Sequence, residues 1–258
     1  MAEKIWVSNR IFYNFSECGV FDGETNFTTT ISGCFSTDTT DSSWLRAYEI
    51  WEHARQLIYS PVNEFSLADG ITNLKRSMNS RLQLIEEIYM FKKVGYPNQP
   101  KGYLEKLETY GLVRPFIMKE LLKIRNDIEH NDVEPPKVDR CKELVDVIWY
   151  FLKSTDSIVK TVYDDAEFSI YDQEDKEVGW GGISFSWNEY CNFQVRGVFP
   201  KEWISEREQE NFIEIEKIEE KDLCKTNEQN QNVIKGKMIL SKEDYRVLLE
   251  TIFTHVYR

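Results

Sequence analysis

In the stretch LLKIRNDIEHNDVEPP, residues 121–136, Arg125, Asn126 and His130 stand close together in a run with helical apolar spacing. Arg125 cannot lose its charge and offers paired N–H donors that match a phosphate. His130 is one of three histidines in the chain, and an imidazole can move a proton near neutral pH. A helix C-terminus favours its cationic form, as do the neighbouring Asp127 and Glu129. Together these residues are what phosphodiester cleavage by a ribose 2′-hydroxyl requires. The histidine transfers the proton, the arginine stabilises the crowded phosphorane, and Asn126 orients the imidazole or a phosphate oxygen. The same residues also fit a plainer use: Arg125 pairing with Glu129 one turn on, and His130 solvated at a helix end.

Spacing limits the first use. Arg125 and His130 lie about 140° apart on an ideal helix, whereas Asn126 and His130 share a face. Asn131 and Asp132 continue a helix poorly, and Pro135 and Pro136 forbid it. The helix is therefore expected to end close to His130, leaving the imidazole free to swing toward the arginine.

The elements that must position these residues follow from periodicity. Residues 1–43 read as extended, in "IWVSNRIFYNF" and "NFTTTISGCFST", closed by the polar hinge "TDTTDSS". From Trp44 to Tyr163 the period is helical. The four apolar stripes are Ala47 to Ile58, Ile71 to Tyr89, Ile117 to Ile128 and Cys141 to Val159. Helices are predicted within roughly 44–60, 66–94, 103–131 and 137–162, with Pro115 starting or kinking the third. Short connections make an antiparallel four-helix bundle the natural packing. After Asp164 the period falls to two. Ile183, Phe185 and Trp187, then Phe193 and Val195, predict a hairpin around "NEYCN". "FIEIEKI" and "VIKGKMIL" add strands, and Ser241 with Asp244 caps a last helix. The fold class is thus α+β. The expected divisions are 1–43, a bundle over 44–163, and a β-rich lobe over 164–258 that the N-terminal strands can join.

Composition narrows the rest. With 32 basic and 44 acidic residues the chain carries a net charge of −12, which does not advertise nucleic-acid binding. The acidic excess concentrates after Asp164. Lys75, Arg76, Arg81, Lys92, Lys93, Lys119 and Lys123 leave the bundle less acidic, as a flank to a phosphate track or as solvated charge. The five cysteines are scattered with no metal-ligand spacing, so neither metal nor cofactor is expected. They read as reduced thiols of a cytoplasmic protein, and no signal peptide or membrane span is visible. His53 reads as a surface residue, His255 as packing or surface. Trp180, Trp187 and Trp203 read as sheet packing rather than base-stacking platforms.

The "IRNDIEH" run on the third helix, followed by prolines and "CKELVDVIWYFLKSTDSIV", resembles the HEPN superfamily. Its signature is an arginine, four to six residues, then a histidine, often with asparagine directly after the arginine. Arg125, Asn126 and His130 match it, and the resemblance covers the helical half of the chain. It implies a metal-independent endoribonuclease acting on RNA, of the kind found in toxin–antitoxin, abortive-infection and other anti-phage defence systems. It also implies a homodimer whose motif helices meet, so that two Arg–His pairs form one cleft, and an antitoxin or defence-system partner. Other members are non-catalytic interaction or regulatory modules. Members modified by a nucleotidyltransferase carry a tyrosine two residues after the histidine, where this chain has Asp132.

Overall fold

The computed structural model describes residues 4–13, 28–34, 42–63, 65–95, 100, 102–160, 162, 165–172, 174, 176–187, 192–218 and 232–253. In chain order the elements begin with β1 (Lys4–Ser8), α1 (Arg10–Tyr13) and β2 (Thr28–Cys34). Six helices follow: α2 (Leu45–Tyr59), α3 (Ser66–Tyr89), α4 (Tyr103–Thr109), α5 (Pro115–Asn131), α6 (Val138–Ser154) and α7 (Asp156–Lys160). Then come β3 (Asp165–Tyr171), β4 (Glu177–Ser186), β5 (Asn192–Phe199), β6 (Ile204–Ser205), β7 (Phe212–Lys217), β8 (Asn232–Ile239) and α8 (Lys242–Thr251). The protein is α+β, and it divides into two compact units. One is Thr37–Lys92 with Pro100–Val162; the other is Met1–Ser36, Lys93–Gln99 and Tyr163–Arg258.

The second unit is built on an eight-stranded sheet in the order β2-β3-β4-β5-β8-β7-β1-β6. Every pairing is antiparallel. Both N-terminal strands enter it, β1 against β7 and β6, and β2 against β3. The alternation anticipated for the hairpin sets its register, with Ile183 opposite Val195 and Phe185 opposite Phe193. Ile183, Phe185, Phe193 and Val195 are buried, and the Phe193 ring stacks on Tyr245 of α8 at 5.8 Å. Trp187 and Trp203 are buried as well, whereas Trp180 keeps 39% of its surface exposed. Glycines in "VGWGGIS" serve packing: a Cβ at Gly181 would run into the Phe168 ring. The extended reading of the N-terminus is corrected at α1, a single helical turn closed by Phe12 N–H donating to the Asn9 carbonyl at 2.9 Å.

In the helical unit, α3 packs against α2, α5 and α6, and α2 packs against α6. The α3 stripe of Ile71, Leu74, Met78, Leu82, Ile85 and Tyr89 is wholly buried, as are Cys141, Leu144, Val145, Ile148 and Leu152 of α6. Trp51 on α2 donates its indole N–H to the Val145 carbonyl at 2.9 Å. Two expected helices are broken where the sequence offers a reason. Gly111, at φ 71°, turns the chain between α4 and α5, and Pro115 opens α5 at its first position. The fourth stripe is interrupted at Thr155, whose hydroxyl donates back to the Phe151 carbonyl at 2.8 Å.

Candidate functional site

Arg125, Asn126 and His130 occupy the last two turns of α5. Pro115 fixes the start of this helix, and buried Met118 and Leu121 seat it on its neighbours. It ends at Asp132, which adopts the left-handed conformation at φ 52°. The N–H groups of Asp132 and Val133 both donate to the Asp127 carbonyl, the latter at 3.2 Å, closing a helix stop of the Schellman type. Asn131 amide N–H also bonds the Asp127 carboxylate at 3.2 Å.

The helix ends one residue past His130, as the sequence led one to expect, and its regular geometry keeps the helix positions of His130 and Arg125 about 140° apart. His130 is exposed on the face it shares with Asn126. Arg125 is bonded within its own helix. Its Nη2 is ion-paired with Glu129 Oε2, with side chains 21% and 27% exposed. Its Nη1 donates to Asn126 Oδ1 at 3.1 Å. The structure thus joins Arg125 to Asn126 and Glu129 and leaves His130 about 140° round the helix from Arg125.

One partner was not legible in the sequence. Thr72 on α3 donates its hydroxyl to Glu129 Oε1 at 3.3 Å, from 57 residues away. The contact fixes the direction of the pair of helices. Thr72 meets the end of α5, while Asn79 and Leu82, further along α3, line one groove with Lys119 and Leu122 nearer the start of α5. Helices α3 and α5 therefore run antiparallel. Between them and α4 lies an open groove of about 810 Å³, with Leu82, Tyr103, Leu104 and Leu122 among its lining residues.

Of the basic residues named from the sequence, Arg81, Lys119 and Lys92 are engaged within the helical unit. Arg81 is fully buried, its guanidinium donating to Asp156 Oδ1 from both amino nitrogens at 3.0 Å, and to the Leu152 carbonyl at 3.0 Å. Its position three residues after Met78 and four before Ile85, inside the α3 stripe, was the available signal. Lys119 pairs with Glu105 at 2.5 Å, and that lysine holds the Glu105 carboxyl below its usual range. Lys92 lies over the Tyr103 ring at 5.3 Å. The groove also carries Glu86 and Glu87.

His53 is exposed on α2, and His255 lies outside the described residues. Cys141 is a free, buried thiol that donates to the Pro136 carbonyl at 3.3 Å, and burial pushes its pKa up. Among the described residues, no group of three His, Cys, Asp or Glu is placed to hold a metal ion. None of the described helices is long and apolar enough to cross a membrane. No protein-family model, curated protein or solved structure matches the chain.

Proposed function

We propose that the helical unit is a HEPN-type bundle, formed by α2, α3, α5 and α6, and that it cleaves RNA without a metal. The observation that carries this reading is the end of α5, where an exposed histidine follows Asn126 by one turn and an arginine is held by two neighbours. His130 takes the proton of a ribose 2′-hydroxyl as that oxygen attacks the phosphorus. The bond to the 5′-oxygen breaks, the leaving oxygen takes a proton, and Arg125 balances charge on the phosphorane. The products are a 2′,3′-cyclic phosphate and a 5′-hydroxyl.

The 140° separation of their helix positions within one chain directs the proposal to a homodimer in which two α5 helices meet and two Arg–His pairs share one cleft. In support, Ile117, Ile124 and Ile128 of the α5 stripe are only partly covered, and Phe116 and Val133 are 78% and 51% exposed. We place the protein in the cytoplasm, in a toxin–antitoxin or anti-phage defence setting with a partner that restrains it. The Arg125–Glu129 pair favours a second reading, a non-catalytic interaction or regulatory module, because the same pair serves helix stability alone.

The test is RNA cleavage in excess chelator by wild type and by His130→Ala, Arg125→Ala and Asn126→Ala. The first two variants are expected to lose about 10²–10⁴-fold, and Asn126→Ala less. Equal cleavage by wild type and His130→Ala, or its loss in chelator, contradicts the proposal. No cleavage of any RNA by wild type, partner proteins supplied, selects the interaction-module reading.

A further inference from the structure

The contact between Arg125 and Glu129 differs from an ordinary surface pair in having a third member. Glu129 Oε2 accepts from Arg125 while Oε1 accepts from Thr72 on α3 at 3.3 Å. Arg125 is also held at its other amino nitrogen by Asn126 Oδ1 at 3.1 Å, and its Nε is buried. A long, flexible side chain is thus fixed at both amino groups by residues of its own helix, and one of these, Glu129, is in turn bonded to α3 through Thr72. Solvated i,i+4 pairs need no such anchor and lose their geometry to side-chain entropy.

The tethers also set a direction. On the helical wheel Asn126 lies about 40° from His130, and Arg125 about 140° from it. A guanidinium bonded to Asn126 is drawn toward the histidine's face. An arginine carries five N–H donors. With one on Nη1 given to Asn126 and one on Nη2 to Glu129, each amino group keeps an N–H for a phosphate oxygen.

We propose that Glu129, anchored by Thr72, is a positioning residue that holds the Arg125 guanidinium beside the Asn126–His130 face to stabilise the phosphorane. This rests on the RNA-cleavage reading above. A carboxylate so close to the phosphate site also repels substrate, so the two possible roles have opposite signs. A residue that chiefly competes with phosphate would give faster cleavage on removal; a positioning residue gives slower turnover, because small misplacements of a charge-stabilising group are costly.

The experiment compares kcat, KM and thermal stability for wild type, Glu129→Ala, Glu129→Gln, Thr72→Val and the Thr72→Val/Glu129→Ala double variant. Glu129→Ala is expected to lower kcat about 10–100-fold, with KM and melting temperature close to wild type. Glu129→Gln, which keeps an acceptor for both partners, should lose less. Thr72→Val should lose a few-fold alone and nothing further in the Glu129→Ala background. Equal or faster turnover by Glu129→Ala overturns the inference while leaving the cleavage reading intact, as does additivity of the two substitutions. A wild-type protein that cleaves no RNA overturns both, and so separates the two failures.

Discussion

Asp156 shows how a single residue sets the conditions under which the helical unit survives. Burial pushes its carboxyl up, but hydrogen bonds from Lys160 at 2.8 Å, Tyr48 at 2.9 Å and Arg81 at 3.0 Å together outweigh that, leaving the pKa lowered. Tyr48, half-buried and bonded to this carboxylate, titrates well above the usual tyrosine range. The sign follows directly. A carboxyl whose folded pKa lies below its unfolded value of about 3.9 stabilises the fold above that pH, and the contribution is lost as pH falls through the folded value. Asp156→Ala leaves the buried Arg81 without its carboxylate, a change expected to cost about 3–5 kcal/mol near neutrality. Urea unfolding at pH 7 and again below pH 4 should show that deficit shrinking in acid; a deficit of constant size would contradict this role. Sequence reading placed Arg81 with the surface lysines, because a charge beside an apolar stripe looks solvated until its partner is known. That partner lies 75 residues away.

At the scale of elements, the stops and starts were the most legible features, because they depend on local chemistry. Pro115 opens α5, Ser241 and Asp244 form a reciprocal capping box on α8, and the residues before Pro135 and Pro136 end α5. The β4–β5 pairing followed from alternation, which put Ile183, Phe185, Phe193 and Val195 in one buried set. What local chemistry cannot reveal is a contact between elements, such as Thr72 with Glu129. The stop itself carries a prediction. Asp132 takes a left-handed conformation that disfavours a residue with a Cβ by roughly 1 kcal/mol. Asp132→Gly should therefore raise the melting temperature by about 2–4 °C and leave α5 intact. A lower melting temperature would mean that the Asp132 side chain stabilises this turn in its own right.

For the whole molecule, the apolar stripes identified a helical unit and the alternation a sheet, and the return of both N-terminal strands to that sheet accounts for the β-rich reading of the two chain ends. The separation of Arg125 and His130 on different faces of α5 was legible in their spacing, whereas the tie from Glu129 to Thr72 on α3 was not. If the cleft is shared, light scattering at micromolar concentration should give the mass of two chains, and substituting the 78%-exposed Phe116 with aspartate should shift it toward one. A wild-type mass of one chain in the presence of RNA would remove the shared cleft. The most direct test of RNA cleavage by the α5 residues is the chemistry of the product ends. RNA incubated with the wild-type protein in chelator should carry 2′,3′-cyclic phosphate and 5′-hydroxyl ends by mass spectrometry, and a DNA of the same sequence should stay whole. Ends bearing 5′-phosphate and 3′-hydroxyl, or cleavage of the DNA, would contradict attack by the ribose hydroxyl.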